Sequence, residues 1–143
     1  MINSFNGEYS WLSNFYERAF QYNNVYYPTA EHAFQAAKTT NPMEANIIRH
    51  AATASQAKRE GRRCTIRADW EDVKLGVMFE ILTAKFSDQE LMAKLLATGE
   101  QALIEGNNWN DSYWGVCNGK GENHLGKLLM RLRSEFQNNE GEK

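Results

Sequence analysis

No apolar run in the sequence approaches the length of a membrane span. The first residues, Met1 to Tyr9, are polar and lack the apolar stretch of a secretory leader. The sequence therefore reads as that of a cytoplasmic protein. Cysteine is scarce: Cys64 and Cys117 stand far apart with no Cys-x-x-Cys spacing. That argues against a disulfide framework or a cysteine-based zinc module and for two free thiols. A basic excess is also missing, since Lys and Arg number 16, Asp and Glu 18, and the net charge is −2. A dedicated duplex-DNA binder draws most of its affinity from phosphate neutralisation, so tight nonspecific nucleic-acid binding is not expected. His32, His50 and His124 form no metal-ligand spacing. There is no Gly-x-Ser-x-Gly nucleophile elbow, no Gly-x-Gly-x-x-Gly after a strand and no P-loop. Internal repeats and low-complexity segments are absent too.

What is present describes one globular domain. A chain of 143 residues buries roughly 68–70% of its unfolded surface and folds without a staple. The domain is expected over residues 1–137, with a short, polar, disordered tail over 138–143. Asn6-Gly7 signals a turn. Ala19 to Tyr22 and Val25 to Tyr27 flank Asn23-Asn24 as a hairpin. Pro28-Thr29 opens a helix with Ala30, Ala33, Phe34 and Ala37 on one face, and Pro42 closes it. Thr53-Ala54-Ser55-Gln56 is a capping box for a helix ending near Gly61. Asp69 caps a longer helix with Trp70, Val73, Val77, Ile81 and Leu82 inward. Ser87-Asp88-Gln89-Glu90 is another capping box, and Gly99 stops that helix. Ala102 to Glu105 reads as a short strand. Asn123 opens a last helix with Leu125, Leu128, Leu129, Leu132 and Phe136 on one face. The sum is an α+β domain, mainly α, with a few short strands.

Three stretches carry more polar and aromatic chemistry than plain structure needs. Trp11 to Tyr16 mixes rings with Ser13 and Asn14, which suits stacking and edge recognition of a base, or a loop that plugs the core. In the helix from Thr29 to Thr39, Glu31, Gln35 and Lys38 share a face away from the alanines. Glu31 and Lys38 are then about 10 Å apart along the axis, and the lysine leans back toward Glu31, so both heads can flank a small ligand. The alternative is a solvated face with a weak ion pair. Asn107 to Gly115 holds Trp109, Trp114, Tyr113 and Asp111, a plausible base clamp with a carboxylate at its edge. Gly119-Lys120-Gly121 before Asn123 could receive a phosphate or be an ordinary flexible turn.

Taken together these stretches resemble the NADAR, or YbiA-like, family. The matching residues are Leu12-Ser13-Asn14-Phe15-Tyr16 and Tyr27-Pro28-Thr29-Ala30-Glu31-His32-Ala33-Phe34-Gln35-Ala36-Ala37-Lys38. They continue with Arg67-Ala68-Asp69-Trp70, Val77-Met78, Lys85-Phe86, Leu96-Ala97-Thr98-Gly99 and Leu103-Ile104-Glu105. Asp111-Ser112-Tyr113-Trp114-Gly115 and Asn123-His124-Leu125-Gly126-Lys127-Leu128-Leu129-Met130 complete the set. The resemblance runs over nearly the whole chain, and its specificity lies in the ordered set rather than in one motif. One departure is Ala30, where members often carry Ser or Val.

The resemblance implies a compact, mainly helical α+β fold and N-glycosidase activity without a cofactor or metal. It implies two substrate branches: ribosylamino-pyrimidine phosphates of early riboflavin synthesis, and ADP-ribosylated guanine, free or as a single base in nucleic acid. No membrane and no obligate protein partner are implied. Cleavage builds positive charge on the anomeric carbon and negative charge on the base. Glu31 is expected as the carboxylate, and Asp111 as a supporting acid–base or ribose-hydroxyl group. Lys38 is expected to stabilise the leaving group or to form a transient imine. Trp70 and Trp114, with Phe15 or Tyr16, would stack the base; Ser13, Asn14, Gly115 and Asn123 would line the substrate. The rival readings are a module that binds ADP-ribose or a nucleotide without cleaving it, and a structural or interaction protein.

Overall fold

The computed structural model describes residues 1–141, with side chains described through Asn139. The chain divides into two compact units: Asn14–Lys85, and Met1–Ser13 with the chain from Phe86 onward.

The first unit begins with a hairpin of β1 (Phe20–Tyr22) and β2 (Val25–Tyr27), antiparallel with Phe20 opposite Tyr27. Asn23 and Asn24 take φ of 52° and 64°, the mirror-image turn whose twist matches paired strands and which Asn tolerates best after Gly. Four helices follow: α1 (Ala30–Ala36), α2 (Pro42–Arg49), α3 (Ala54–Gly61) and α4 (Trp70–Lys85). Pro42 does not close a helix; it stands at the first position of α2, where its missing N–H costs nothing. Asn41 caps that helix by accepting from the N–H groups of Met43 and Glu44. Ala36, Ile48, Ala51 and Ala57 form a core of mostly small side chains that lets α1, α2 and α3 approach closely. Asp69 leads into α4, and its carboxylate holds the Arg67 guanidinium through two hydrogen bonds. On α4 the buried positions are Trp70, Met78, Ile81, Leu82 and Lys85, while Val73 and Val77 are only half-buried.

The second unit starts with a 3-10 helix, Gly7–Leu12, at the Asn6-Gly7 pair that signals only a turn in the sequence. It continues with α5 (Gln89–Ala97), β3 (Gly106–Asn107), β4 (Val116–Cys117) and α6 (His124–Gly141). Asp88, not Ser87, caps α5, accepting from the N–H groups of Glu90 and Leu91. Gly99 ends it at φ 64°. The strand expected over 102–105 reduces to one parallel bridge between Leu103 and Ile2. The parallel β3–β4 pair matches Gly106 with Val116. Leu125, Leu129 and Leu132 are the buried apolar positions of α6. The tail expected to be disordered from Asn138 is helical as far as Gly141; Glu142 and Lys143 lie outside the described residues. Among the described residues no helix is long and apolar enough to cross a membrane.

Candidate active site

The expected site residues fall into two sets, one in each unit. The set in Asn14–Lys85 centres on α1. Thr29 caps this helix, accepting from His32 N–H at 3.1 Å. All seven residues of α1 are buried, so Glu31 and Gln35 do not form a solvated face. Burial of an ionisable helix face calls for internal partners. Glu31 is 7% exposed; its backbone N–H donates to Asn14 O at 2.9 Å, and its Oε1 accepts from Gln35 Nε2 at 2.7 Å. His32 is a core histidine, with Nδ1 2.8 Å from Thr29 Oγ1 and Nε2 3.0 Å from Ala51 O. The carbonyl partner places the ring proton on Nε2.

Lys38 lies beyond the end of α1, in a tight turn where its N–H donates to Gln35 O at 3.2 Å. Burial pushes its amine below the ordinary lysine value; the Glu31 carboxylate, next in weight, and the Cys64 thiol pull it back up. Lys58 and Arg62 push it down further. The Cys64 thiol is itself raised, first by burial, and donates to Gly61 O, so it is not an activated nucleophile.

The remaining residues of this set divide by exposure. Asn14 is buried, donates to Met78 Sδ at 3.6 Å and leaves its Oδ1 without a partner among the described residues. Phe15 is 42% exposed and can present a ring face. Tyr16 is half-buried, with the Arg18 guanidinium 6.0 Å and the Lys85 amine 5.8 Å from its ring centroid. Trp70 is not an accessible base platform: it is 6% exposed and packs on Phe34 with centroids 5.0 Å apart. Lys85, to which the sequence alone gives no role, is fully buried, and burial lowers its amine to about 7.

In the second unit, Ser13 lines a cavity of about 340 Å³ with Phe5, Glu105, Asn107 and the 59%-exposed Trp109. Asn107 and Trp109 belong to the loop that the sequence offers as a base clamp, whereas Glu105 carries no sequence signal for a role here. Asp111 is committed locally: Oδ1 accepts from the N–H groups of Tyr113 and Trp114 at 3.1 and 2.9 Å. Trp114 is half-buried and edge-on to Tyr113. Gly115 is buried because Glu105 and Asn107 press against its Cα, and a Cβ there would strike both. Asn123 does not cap α6. Its amide ties the 103–105 segment, accepting from Glu105 N–H and donating to Leu103 O, both at 3.0 Å. These two residues have structural duties. Among the described residues no three His, Cys, Asp or Glu side chains gather as a metal site.

A family model for the NADAR domain matches residues 3–137. N-glycosidase YbiA of Shigella flexneri is 41% identical over 133 residues, 90% of this chain and 82% of its own length. A riboflavin biosynthesis protein of Vibrio vulnificus is 35% identical over 133 residues, covering 90% of this chain and 36% of that protein. The solution structure of Escherichia coli YbiA matches with a TM-score of 0.88 at 37% identity, over 100% of this chain and 90% of that one. These likenesses define an enzyme class, the hydrolases acting on N-glycosyl bonds. The chain belongs to the NADAR family, and its mainly helical α+β fold is that of the E. coli protein.

Proposed function

We propose that the chain hydrolyses the bond between a phosphorylated ribose and an amino-pyrimidine or guanine-type base, with Glu31 and Lys38 as its working groups. The observation that carries this reading is a buried carboxylate electrostatically coupled to an amine whose pKa burial lowers. A neutral amine is a nucleophile, and desolvation raises its neutral fraction. In the proposed sequence Lys38 Nζ bonds to the anomeric carbon as the bond to the base nitrogen breaks, and the base leaves carrying the proton that the attacking amine sheds through Glu31. Glu31 stabilises the positive charge on that carbon and takes the proton shed by the amine. The C1–ring-oxygen bond then opens, its oxygen is protonated, and a carbon–nitrogen double bond forms to Lys38. Water adds to this imine and releases the sugar phosphate and the free lysine. The relative named for riboflavin biosynthesis favours the pyrimidine branch, with a single ADP-ribosylated guanine as the second substrate. The reaction so drawn needs no cofactor and suits a cytoplasmic enzyme.

Borohydride added during turnover should trap a sugar adduct on Lys38, seen as a mass increase on the peptide that contains it. Lys38→Arg keeps the charge and abolishes the nucleophile, so turnover should fall by about 10² or more. An active Lys38→Arg variant with no trapped adduct overturns the imine route. Side-by-side mass spectrometry of products from both substrate types decides the branch.

A further inference from the structure

The side chain of Gln35 is 3% exposed, and its two amide ends are treated differently. Nε2 donates to Glu31 Oε1 at 2.7 Å. Oε1 is buried and has no hydrogen-bond partner among the described residues. A buried carbonyl oxygen left unpaired is costly, and native folds keep few of them. The amide is also held in place. Gly61, the last residue of α3, lies directly against it, and a Cβ at Gly61 would overlap Oε1, Cδ and Cβ of Gln35. Gly61 sits in a helix and not in the left-handed region, so its backbone conformation does not ask for glycine. The space taken by Gln35 does.

We propose that Gln35 and Gly61 are positioning residues for Glu31: Gly61 leaves a slot, and the slot holds the Gln35 amide against the carboxylate. An ionised carboxylate only accepts hydrogen bonds, so it selects the amide orientation with Nε2 toward it. A protonated carboxyl donates, and the same amide turned over would present Oε1 to receive that proton. The two amide orientations are nearly equal in shape, so the slot tolerates both. Gln35 therefore stabilises the charged form of Glu31 and can follow it through the proton uptake of the reaction. The inference rests on the assignment of Glu31 as the working carboxylate.

The test reads the carboxylate directly, by NMR titration of the protein labelled at glutamate side-chain carboxyl carbons, together with the pH profile of kcat/KM. Gln35→Met keeps the volume and removes the amide. It should raise the apparent pKa of Glu31, and the acidic limb of the profile with it, by about one pH unit. Gly61→Ala should displace Gln35 and move both readouts the same way. The double variant should move no further than Gln35→Met alone, since the two act through one contact. An unmoved Glu31 titration in Gln35→Met, or additive shifts in the double variant, overturns the proposal. Should Gln35→Met fail to fold, an unmoved titration in Gly61→Ala overturns it equally. If the wild type cleaves neither substrate while these shifts appear, the glycosidase reading falls and the positioning of Glu31 stands. If turnover is normal and no shift appears, the positioning role falls and the glycosidase reading stands.

Discussion

Lys85 shows what burial does to a charge. It is 1% exposed on α4, and its amine sits at about 7. Between that value and its unfolded one, the native state binds fewer protons than the unfolded state. Stability should therefore climb as pH rises from about 7 toward 10, by up to about 1.4 kcal/mol per pH unit. Lys85→Met should flatten this slope and stabilise the protein near neutrality, as read by urea unfolding at pH 7 and 9. Glu31→Gln preserves shape and an acceptor for the Gln35 amide while removing the charge, so kcat should drop about 10²–10³-fold with a small change in Tm. Asp111→Asn keeps an Oδ1 acceptor for Tyr113 and Trp114 N–H. The turn should survive, and any loss of kcat then reports the missing charge. At this scale the sequence pointed to Glu31 and Lys38 through their spacing. It misassigned Trp70, because an indole's composition does not say whether its face meets solvent or Phe34. Lys85 has no role legible in the sequence, because a lysine at a core position looks there like any lysine.

Local signals performed well where the backbone itself was the cause. The Asn23-Asn24 hairpin, the Thr53 cap of α3 and the Gly99 stop of α5 all depend on interactions within a few residues. They failed where two adjacent residues could do the same job. Pro42 is a helix breaker or a helix opener depending on which side the cap lies, and Asn41 decides it. Asn41→Ala should cost about 1 kcal/mol, measurable as a lowered midpoint in thermal unfolding. Asn123 stands where the sequence opens the last helix, yet tertiary contacts recruit its amide to the 103–105 segment. The helix α6 was legible from its leucine spacing. Leu129 is fully buried there, and Leu129→Ala should destabilise by about 2–5 kcal/mol. In α1 the pattern was right in register and wrong in environment, for a helix packed by α2, α3 and α4 has no solvated face.

For the whole molecule, charge sets an expectation about substrates carried on nucleic acid. The net charge is −2, so few phosphates can be neutralised together. Cleavage of a modified guanine in an oligonucleotide should therefore weaken less than about tenfold between 50 and 200 mM salt. A protein making 6–10 phosphate contacts loses about 10³–10⁵ in affinity over that range. A steep salt dependence would show a phosphate-binding surface that composition does not suggest. Composition and periodicity by themselves determined that this is a mainly helical α+β chain, and the ordered motifs of the NADAR family determined its chemical class. Those properties are summed over many residues or carried by neighbours along the chain, which is why they are visible in one dimension. Only the tertiary structure decided that Glu31 is buried, that Gln35 holds it from a slot at Gly61, and that Lys38 loses solvent. Desolvation and close approach are created by residues distant in sequence, and no local pattern records them.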